Sequence, residues 1–415
     1  MSQHDDSLVA QARSLTGEVP FEPGEIFYSR TDKRGVIIEG NRTFRRVSGY
    51  GWSELKGAPH KLVRHPDMPK GVFSLFWQRL QAGKRMVAYV KNRSKDGRYY
   101  WVLALTWPIE EGYLSVRIKP TSDLFAKVQA LYADLREAEK TKGLLPEQSA
   151  ELLLKRIGEM GYRDYESFMA DALTAEVKAL KRLTGEALSP VEKRFFAMDE
   201  TIGELNAEID SLVGVIHSIR TVPMNMRILA SRLENAGGPI SAISVNYSQM
   251  LEEMSTWVQK FVDGPDSTYA RIHTAIMNGQ FLVCASSVQS RMSTQFAQDL
   301  EGIADATRLL EDKGTLEREA ERYQAAARDS LKLVDTEMRR LGRSVLDMKR
   351  YVTGLSSTRM MCKIESAALA HEGKSLAGIV EQLDQCQKDI ERSLAKVVEL
   401  NSVIQTNSSM LGTLL

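Results

Sequence analysis

Proline and tryptophan are distributed so unevenly along this chain that it must hold two kinds of structure. Seven of the twelve prolines and four of the five tryptophans (Trp52, Trp77, Trp101, Trp107) lie within the first 120 residues, and no proline follows Pro265. Proline interrupts helices, so the later part is free to form long ones while the first part is expected to be a compact mixed domain. Alternating side chains define strands there: Tyr99, Trp101, Leu103, Leu105 and Trp107 fall on one sheet face, and Tyr100, Val102, Ala104 and Thr106 on the other. Residues 25–32, 35–41, 86–93, 98–108 and 113–119 read as strands, with helical segments at 53–57 and 69–81. Lys95-Asp96-Gly97 and Glu110-Glu111-Gly112 mark hairpin turns, where glycine readily takes a positive φ.

Past Ser122 the pattern is helical. Short helices broken at 143–146, 158–161 and 185–190 form a connector, and longer ones follow from Pro190. Leu376, Val380, Leu383, Ile390, Leu394, Val397 and Ile404 recur at spacings of three and four, with Gln387 and Asn401 in core register. Two similar phrases, Arg227 to Ala236 and Arg359 to Ala367, each precede glycine and a second amphipathic helix, which reads as a duplicated helical hairpin. The expected helices are 190–236, 240–310, 315–368 and 375–414, joined at 237–239, 312–314 and 371–373, with a break near Gly264-Pro265. The chain therefore divides into an N-terminal extension (1–24), a mixed domain (25–121), a helical connector (122–189) and a helical hairpin bundle (190–415). Its fold class is an α+β domain followed by an elongated all-α bundle.

Composition narrows the function. The formal charge is +1, which gives no bulk attraction for nucleic acid or an anionic membrane. Three widely spaced cysteines (Cys284, Cys362, Cys386) suit neither a disulfide framework nor a zinc site, and fit a reducing cytoplasm. The first ten residues lack the apolar run of a secretory signal, and the longest uncharged stretches are too polar to span a bilayer, so a soluble cytoplasmic protein is expected. No Ser-His-Asp set, paired carboxylates or metal-ligand arrangement points to an enzyme. His217, in the phrase running to Pro223, is similar to the phospho-acceptor of sensor histidine kinases, and a histidine phosphotransfer role is an alternative. No glycine-rich nucleotide box follows it.

Motifs spread over the first domain carry a more specific likeness. Asn41-Arg42-Thr43-Phe44, Ser48-Gly49-Tyr50, Glu54-Leu55-Lys56-Gly57, Pro59-His60, Val63-Arg64-His65-Pro66-Asp67-Met68-Pro69 and Val90-Lys91-Asn92-Arg93, with Asp96-Gly97 and Tyr100-Trp101-Val102 after them, resemble the PAS sensor domain of the bacterial aerotaxis receptors. The resemblance implies a five-stranded antiparallel sheet with helices over one face and a pocket that holds FAD, whose redox state is the signal. By motif position it implies Asn41, Arg64, His65, Asp67, Phe73, Trp77 and Asn92 as cofactor-binding residues. Where that family usually carries a tryptophan before the Val90-Lys91-Asn92-Arg93 motif, this chain has Met86. Haem, or no ligand at all, are alternatives, the last giving a PAS scaffold for protein–protein interaction. On their own chemistry, Phe73 and Trp77 are four apart on a helix and can wall an apolar ring. Asn41 and Asn92 offer donors and acceptors, and Arg64 a cation for a pyrophosphate. A structural reading stands beside this one: Asp67 capping the next helix, and Phe73 and Trp77 as plain core. Relatives of such domains are joined to a chemoreceptor signalling hairpin that meets a chemotaxis histidine kinase and its coupling protein, or another receptor. Asn225 to Ala230, with Leu233-Glu234, resembles one side of that hairpin's tip. The duplication suggests that one chain supplies both hairpins as a monomeric pseudo-dimer; a homodimer is the alternative.

Overall fold

The computed structural model describes residues 17–231, 237–262, 264, 267–299, 307–368 and 374–415. Five strands, β1 (Phe27–Asp32), β2 (Ile37–Gly40), β3 (Met86–Arg93), β4 (Tyr99–Ile109) and β5 (Gly112–Ile118), form one antiparallel sheet in the order β2-β1-β5-β4-β3. Between β2 and β3 lie α1 (Arg42–Ser48), α2 (Trp52–Leu55), a 3₁₀ turn (His60–Val63) and α3 (Lys70–Gln81). The strands match the alternation in the sequence, whereas α1 was missed. Its N-cap is Asn41, whose side chain accepts from Phe44 N, and Gly49 closes it at φ 73°. The β3–β4 hairpin closes through Ser94 N donating to Arg98 O at 2.8 Å, with Gly97 at φ 93°. Gly112 is required by close approach, since a Cβ there would lie 1.9 Å from Thr31 O.

The register puts Phe27, Arg117, Ala104 and Ala88 in one row across the sheet, and Ser29, Ser115, Thr106 and Met86 in the next row on the same face. This inner face meets α1 and α3: Phe44 lies near Arg117, and Trp77 packs edge-on against Tyr113. The opposite, outer face is also buried, which explains why β4 is apolar on both sides of its alternation. It is covered by α4 (Asp123–Lys142) and α6 (Tyr165–Thr184), while α5 (Pro146–Glu159) packs against α3. Phe125 of α4 stacks on Tyr89 and meets Trp101 edge-on. Glu176 of α6 accepts from Tyr89 Oη, Ser122 Oγ, Ser122 N and Thr121 N. The segment read as a connector is thus a layer on the sheet.

By contact, the chain divides into a first unit (residues 1–192 and 280–327) and a second (193–279 and 328–415). The helices beyond α6 are α7 (Pro190–Ser218), α8 (Val222–Ala230), α9 (Gly237–Val262), α10 (Thr268–Asp299), α11 (Thr307–Ala368) and α12 (Lys374–Leu414). Three differences from the sequence reading follow. The first expected helix is interrupted at 219–221, because Pro223 has no N–H to give Ile219 O; Val222 N bonds that carbonyl at 3.0 Å instead. The joint expected at 312–314 lies inside α11, where Asp312 is buried and paired with Arg30 at 2.8 Å. The joint expected at 237–239 falls in the first turn of α9. The break near Gly264 is present between α9 and α10; Pro265 and the joint at 371–373 lie outside the described residues.

In the second unit the helices pair antiparallel. Arg271 meets Glu337 and Asn278 meets Ser330, stepping in opposite directions along α10 and α11. Arg359–Asp384 and the approach of Asn401 to Gly342 do the same for α11 and α12. Arg194–Asn407 and Ser218–Cys386 join α7 to α12. Leu383, Ile390, Leu394, Val397 and Ile404 are buried as the spacing requires, with Gln387 and Asn401 buried among them; the side chain of Leu376 lies outside the described residues. Among the described residues no helix is long and apolar enough to cross a membrane.

Candidate functional site

Two places in the first unit combine polar chemistry with burial. The first is inside the fold. Arg117 projects from β5 onto the inner face, 6% exposed. Its Nη2 donates to Ser29 Oγ at 2.9 Å and lies 2.8 Å from His60 Nε2. An arginine only donates, so His60 Nε2 accepts and the imidazole is neutral with its proton on Nδ1. Burial, reinforced by the adjacent guanidinium, pushes the His60 pKa down to about 3. Burial also lowers Arg117 to about 10, which leaves it charged at neutral pH. The His60 ring stacks on Phe44 with centroids 5.7 Å apart. Among the described residues no carboxylate pairs with Arg117, and Arg117 Nη1 and Tyr100 Oη are both buried without a hydrogen-bond partner. Orphaned buried donors are costly and rare in native folds. A ligand presenting acceptors would satisfy both.

The second place is a groove of about 550 Å³ beside α3, whose walls include Lys61, Arg64, His65, Met68, Lys70 and Arg136. Arg64 lies 3.9 Å over the Phe73 ring, and its backbone bridges to that of Asn92 on β3. His65 Nδ1 accepts from Asp67 N at 3.1 Å, and Asp67 pairs with Lys91 at 2.8 Å. Burial and the nearby Lys91 hold the His65 pKa below the usual imidazole range. Asp67 does not cap α3. Glu139 of α4 takes that role, its Oε1 accepting from Lys70 N at 2.6 Å and Gly71 N at 3.3 Å.

The structure therefore brings Arg64, His65, Asp67, Phe73 and Asn92 together and holds the other two expected residues in different surroundings. Asn41 is occupied structurally: its Oδ1 accepts from Tyr28 N and Phe44 N, and its Nδ2 donates to Ile26 O at 2.7 Å. Trp77 sits against Tyr113 and over Gly35. Met86 is fully buried on the inner face.

The stretch 37–114 matches the family model described as the PAS fold. This segment carries the PAS fold. Over 128 residues the chain is 40% identical to the aerotaxis receptor of Escherichia coli, covering 30% of this chain and 25% of that protein. Over 268 residues it is 20% identical to the biofilm dispersion protein BdlA of Pseudomonas aeruginosa, covering 62% of this chain and 59% of that one. The chain thus spans less than two thirds of either relative. In the light-state structure of the blue-light photoreceptor Aureochrome1 LOV, 92% of that chain aligns with 27% of this one at 16% identity and a TM-score of 0.23.

The PAS domain is related to that of the aerotaxis receptor, and its inner polar cluster went unread in the sequence. Arg117 sits in an alternating strand as one cation among apolar neighbours, and that inward position was the available signal. His60 follows Pro59 in a motif whose downstream half drew attention instead. His217 lies on the exposed side of the last turn of α7.

Proposed function

We propose that this protein is a cytoplasmic, non-enzymatic sensor whose PAS domain binds a flavin and relays its redox state to helices α10 and α11. The observation that carries the reading is the set of unsatisfied donors inside the fold, Arg117 Nη1 and Tyr100 Oη, in a domain related to that of the aerotaxis receptor. A flavin ring has an edge of alternating donors and acceptors and an apolar face, and Arg117, Tyr100 and Asn92 beside Phe44 and Phe73 match it in kind. When bound, the flavin supplies reversible reduction, which adds charge and protons at its ring edge. Arg117 and the neutral His60 then form an adjustable pair: the arginine can turn its donors toward added negative charge, and His60 Nε2 would lose or keep its hydrogen bond accordingly.

Relay through the sheet is supported by what lies on its outer face. Tyr28 of β1 meets Phe296 of α10 edge-on with centroids 4.7 Å apart, Arg30 pairs with Asp312 of α11, and Arg85 lies 4.3 Å over Phe281. Ser29, which accepts from Arg117, lies between Tyr28 and Arg30 in the same strand. Movement of Arg117 therefore acts on the strand that holds both output helices. Partners in this reading are a chemotaxis histidine kinase and its coupling protein or another receptor, met through the ends of α8 and α11, where Met224, Ile228, Met360, Met361 and Ile364 are exposed.

The engagement of Asn41 by backbone favours a second reading, a ligand-free PAS scaffold. The absorption spectrum of the purified full chain after FAD addition and dialysis separates the readings. The two visible bands of oxidised flavin are expected; a Soret band would mean haem, and a colourless protein the scaffold.

A further inference from the structure

We infer that the second unit carries two complementary charged faces, acidic on α7 and basic on α11, by which copies of this chain associate side by side. No Lys or Arg lies between Arg194 and Arg220, and Asp199, Glu200, Glu204, Glu208 and Asp210 all fall within that span. Glu200, Glu204 and Glu208 repeat at four-residue spacing and so share a face; Glu200, Glu204 and Asp210 are exposed. On α11 the sign is reversed. Arg339, Arg340 and Arg343 are exposed, while the acid just before them, Glu337, is buried and paired with Arg271. Arg339 and Arg350 have acidic neighbours on their own helix, Asp335 and Asp347. Among the described residues no ion pair engages Arg340, Arg343, Glu200, Glu204, Glu208 or Asp210.

Placement makes these faces fit one another. α7 packs on α10 and α12: a Cβ on Gly279 would lie 2.4 Å from the Phe195 ring, and Arg194 bonds Asn407. α11 packs on the same two helices, through Arg271–Glu337, Asn278–Ser330 and Arg359–Asp384. α7 and α11 therefore stand diagonally across this part of the bundle, with their exposed faces turned in opposite directions. They are also level. Phe195, Gly279 and Ser330 mark one height. A few residues along, burial raises the Tyr269 pKa and the charges of Asp199 and Asp210 add to the rise, while Arg271 beside it meets Glu337. Counting on along each helix puts Glu200 to Glu208 at the height of Arg339 to Arg343. Each helix runs antiparallel to α12, so α7 and α11 run parallel. A copy shifted sideways without rotation thus sets its α11 arginines against the α7 carboxylates of its neighbour. Such a contact uses different patches on the two copies and leaves one of each free, so it extends into rows.

Guanidinium forks match carboxylates bidentately, and several pairs in one row act as a network where a lone exposed pair contributes little. Between the carboxylates the exposed positions are Gly203 and Ala207, which let another helix come close, and Leu346, one turn from Arg343, is 58% exposed and available for apolar contact. An acidic protein or a nucleic acid would account for the basic face alone. A second copy accounts for both faces and for their common height. Each bundle is closed within one chain, so the contact joins complete molecules, and it does not rest on the flavin reading.

Sedimentation velocity of the full chain tests the contact. At low ionic strength the sedimentation coefficient should climb with concentration and not level off at a dimer, and about 1 M salt, where the screening length is ~3 Å, should return the monomer. The double variants Arg340→Glu, Arg343→Glu and Glu200→Arg, Glu204→Arg should each weaken self-association about tenfold or more. Their melting temperatures should be unchanged, because all four side chains are exposed. One variant then carries acid on both faces and the other carries base on both, so an equimolar mixture should associate again. A wild type that is monomeric at every concentration, association that saturates at a dimer or survives the salt or either double variant, or a mixture that stays monomeric would overturn the proposal. So would a monomeric wild type that binds phosphatidylserine vesicles or duplex DNA and loses that binding in Arg340→Glu, Arg343→Glu, since the basic face would then serve a lipid or a nucleic acid.

Discussion

A guanidinium buried without a carboxylate is costly unless its donors find acceptors, and Arg117 reaches only Ser29 and His60. Replacing it by the similarly long, apolar Met should therefore raise the stability of the ligand-free protein by about 1–4 kcal/mol while abolishing flavin retention; urea midpoints and visible absorbance read the two effects. A loss of stability with retained flavin would remove Arg117 from the site. His60 gives a pH signature. Its folded pKa is depressed from 6.5 to about 3, so the unfolded chain binds the extra proton below pH 6.5. Stability is complete above that value and falls as pH drops toward 3, at up to about 1.4 kcal/mol per pH unit. Urea unfolding between pH 7 and 5, above the carboxylate range, should show this slope, and His60→Gln should flatten it. At this scale neighbouring motifs in the sequence hold Arg64, His65, Asp67 and Asn92, and the structure brings them near one another. The sequence did not join the inner cluster, whose members come from β1 (Ser29), the 3₁₀ turn (His60) and β5 (Arg117), far apart in the chain.

Among the elements, the contact between β1 and the output helices rests on a nearly buried ion pair. The Asp312 carboxylate is 2% exposed and the Arg30 side chain 14%. Burial raises the Asp312 pKa, and Tyr28 and Arg30 pull against that rise. Asp312→Ala should cost about 1–3 kcal/mol, because it leaves Arg30 paired only with the exposed Glu111. The loss should appear first as faster amide exchange in β1 and at 307–327; unchanged exchange there would show that this pair does not hold the helix to the sheet. Strands were readable because a period of two leaves a local record in each of them. The error at 312–314 has the opposite cause: Asp-Lys-Gly is a turn signal by local chemistry, and only a partner 282 positions away in the chain keeps the helix running through it. α1 was lost for a similar reason, since its cap residue Asn41 was read for its chemistry alone.

For the whole chain, the four helical strands of the second unit pair within one polypeptide, so we expect a monomeric pseudo-dimer. Ser218 Oγ lies 4.0 Å from the native Cys386 Sγ, and Ser218→Cys should form a disulfide inside one chain at low protein concentration, seen as a compact monomer on a non-reducing gel. Exclusively intermolecular bonds would mean an ordinary dimer. Within α10 an uncharged stretch is buried on every side at 280–286, and it belongs to the first unit together with the described residues 287–299 and 307–327. Those residues are where the sensing claim is most exposed. Hydrogen exchange of the flavin-loaded full chain, compared between its oxidised and chemically reduced forms, tests it directly. Relay through the sheet predicts that reduction changes protection in β1 and in both 280–299 and 307–327. Equal protection of those helices in the two forms, or changes confined to residues 37–114, would contradict it.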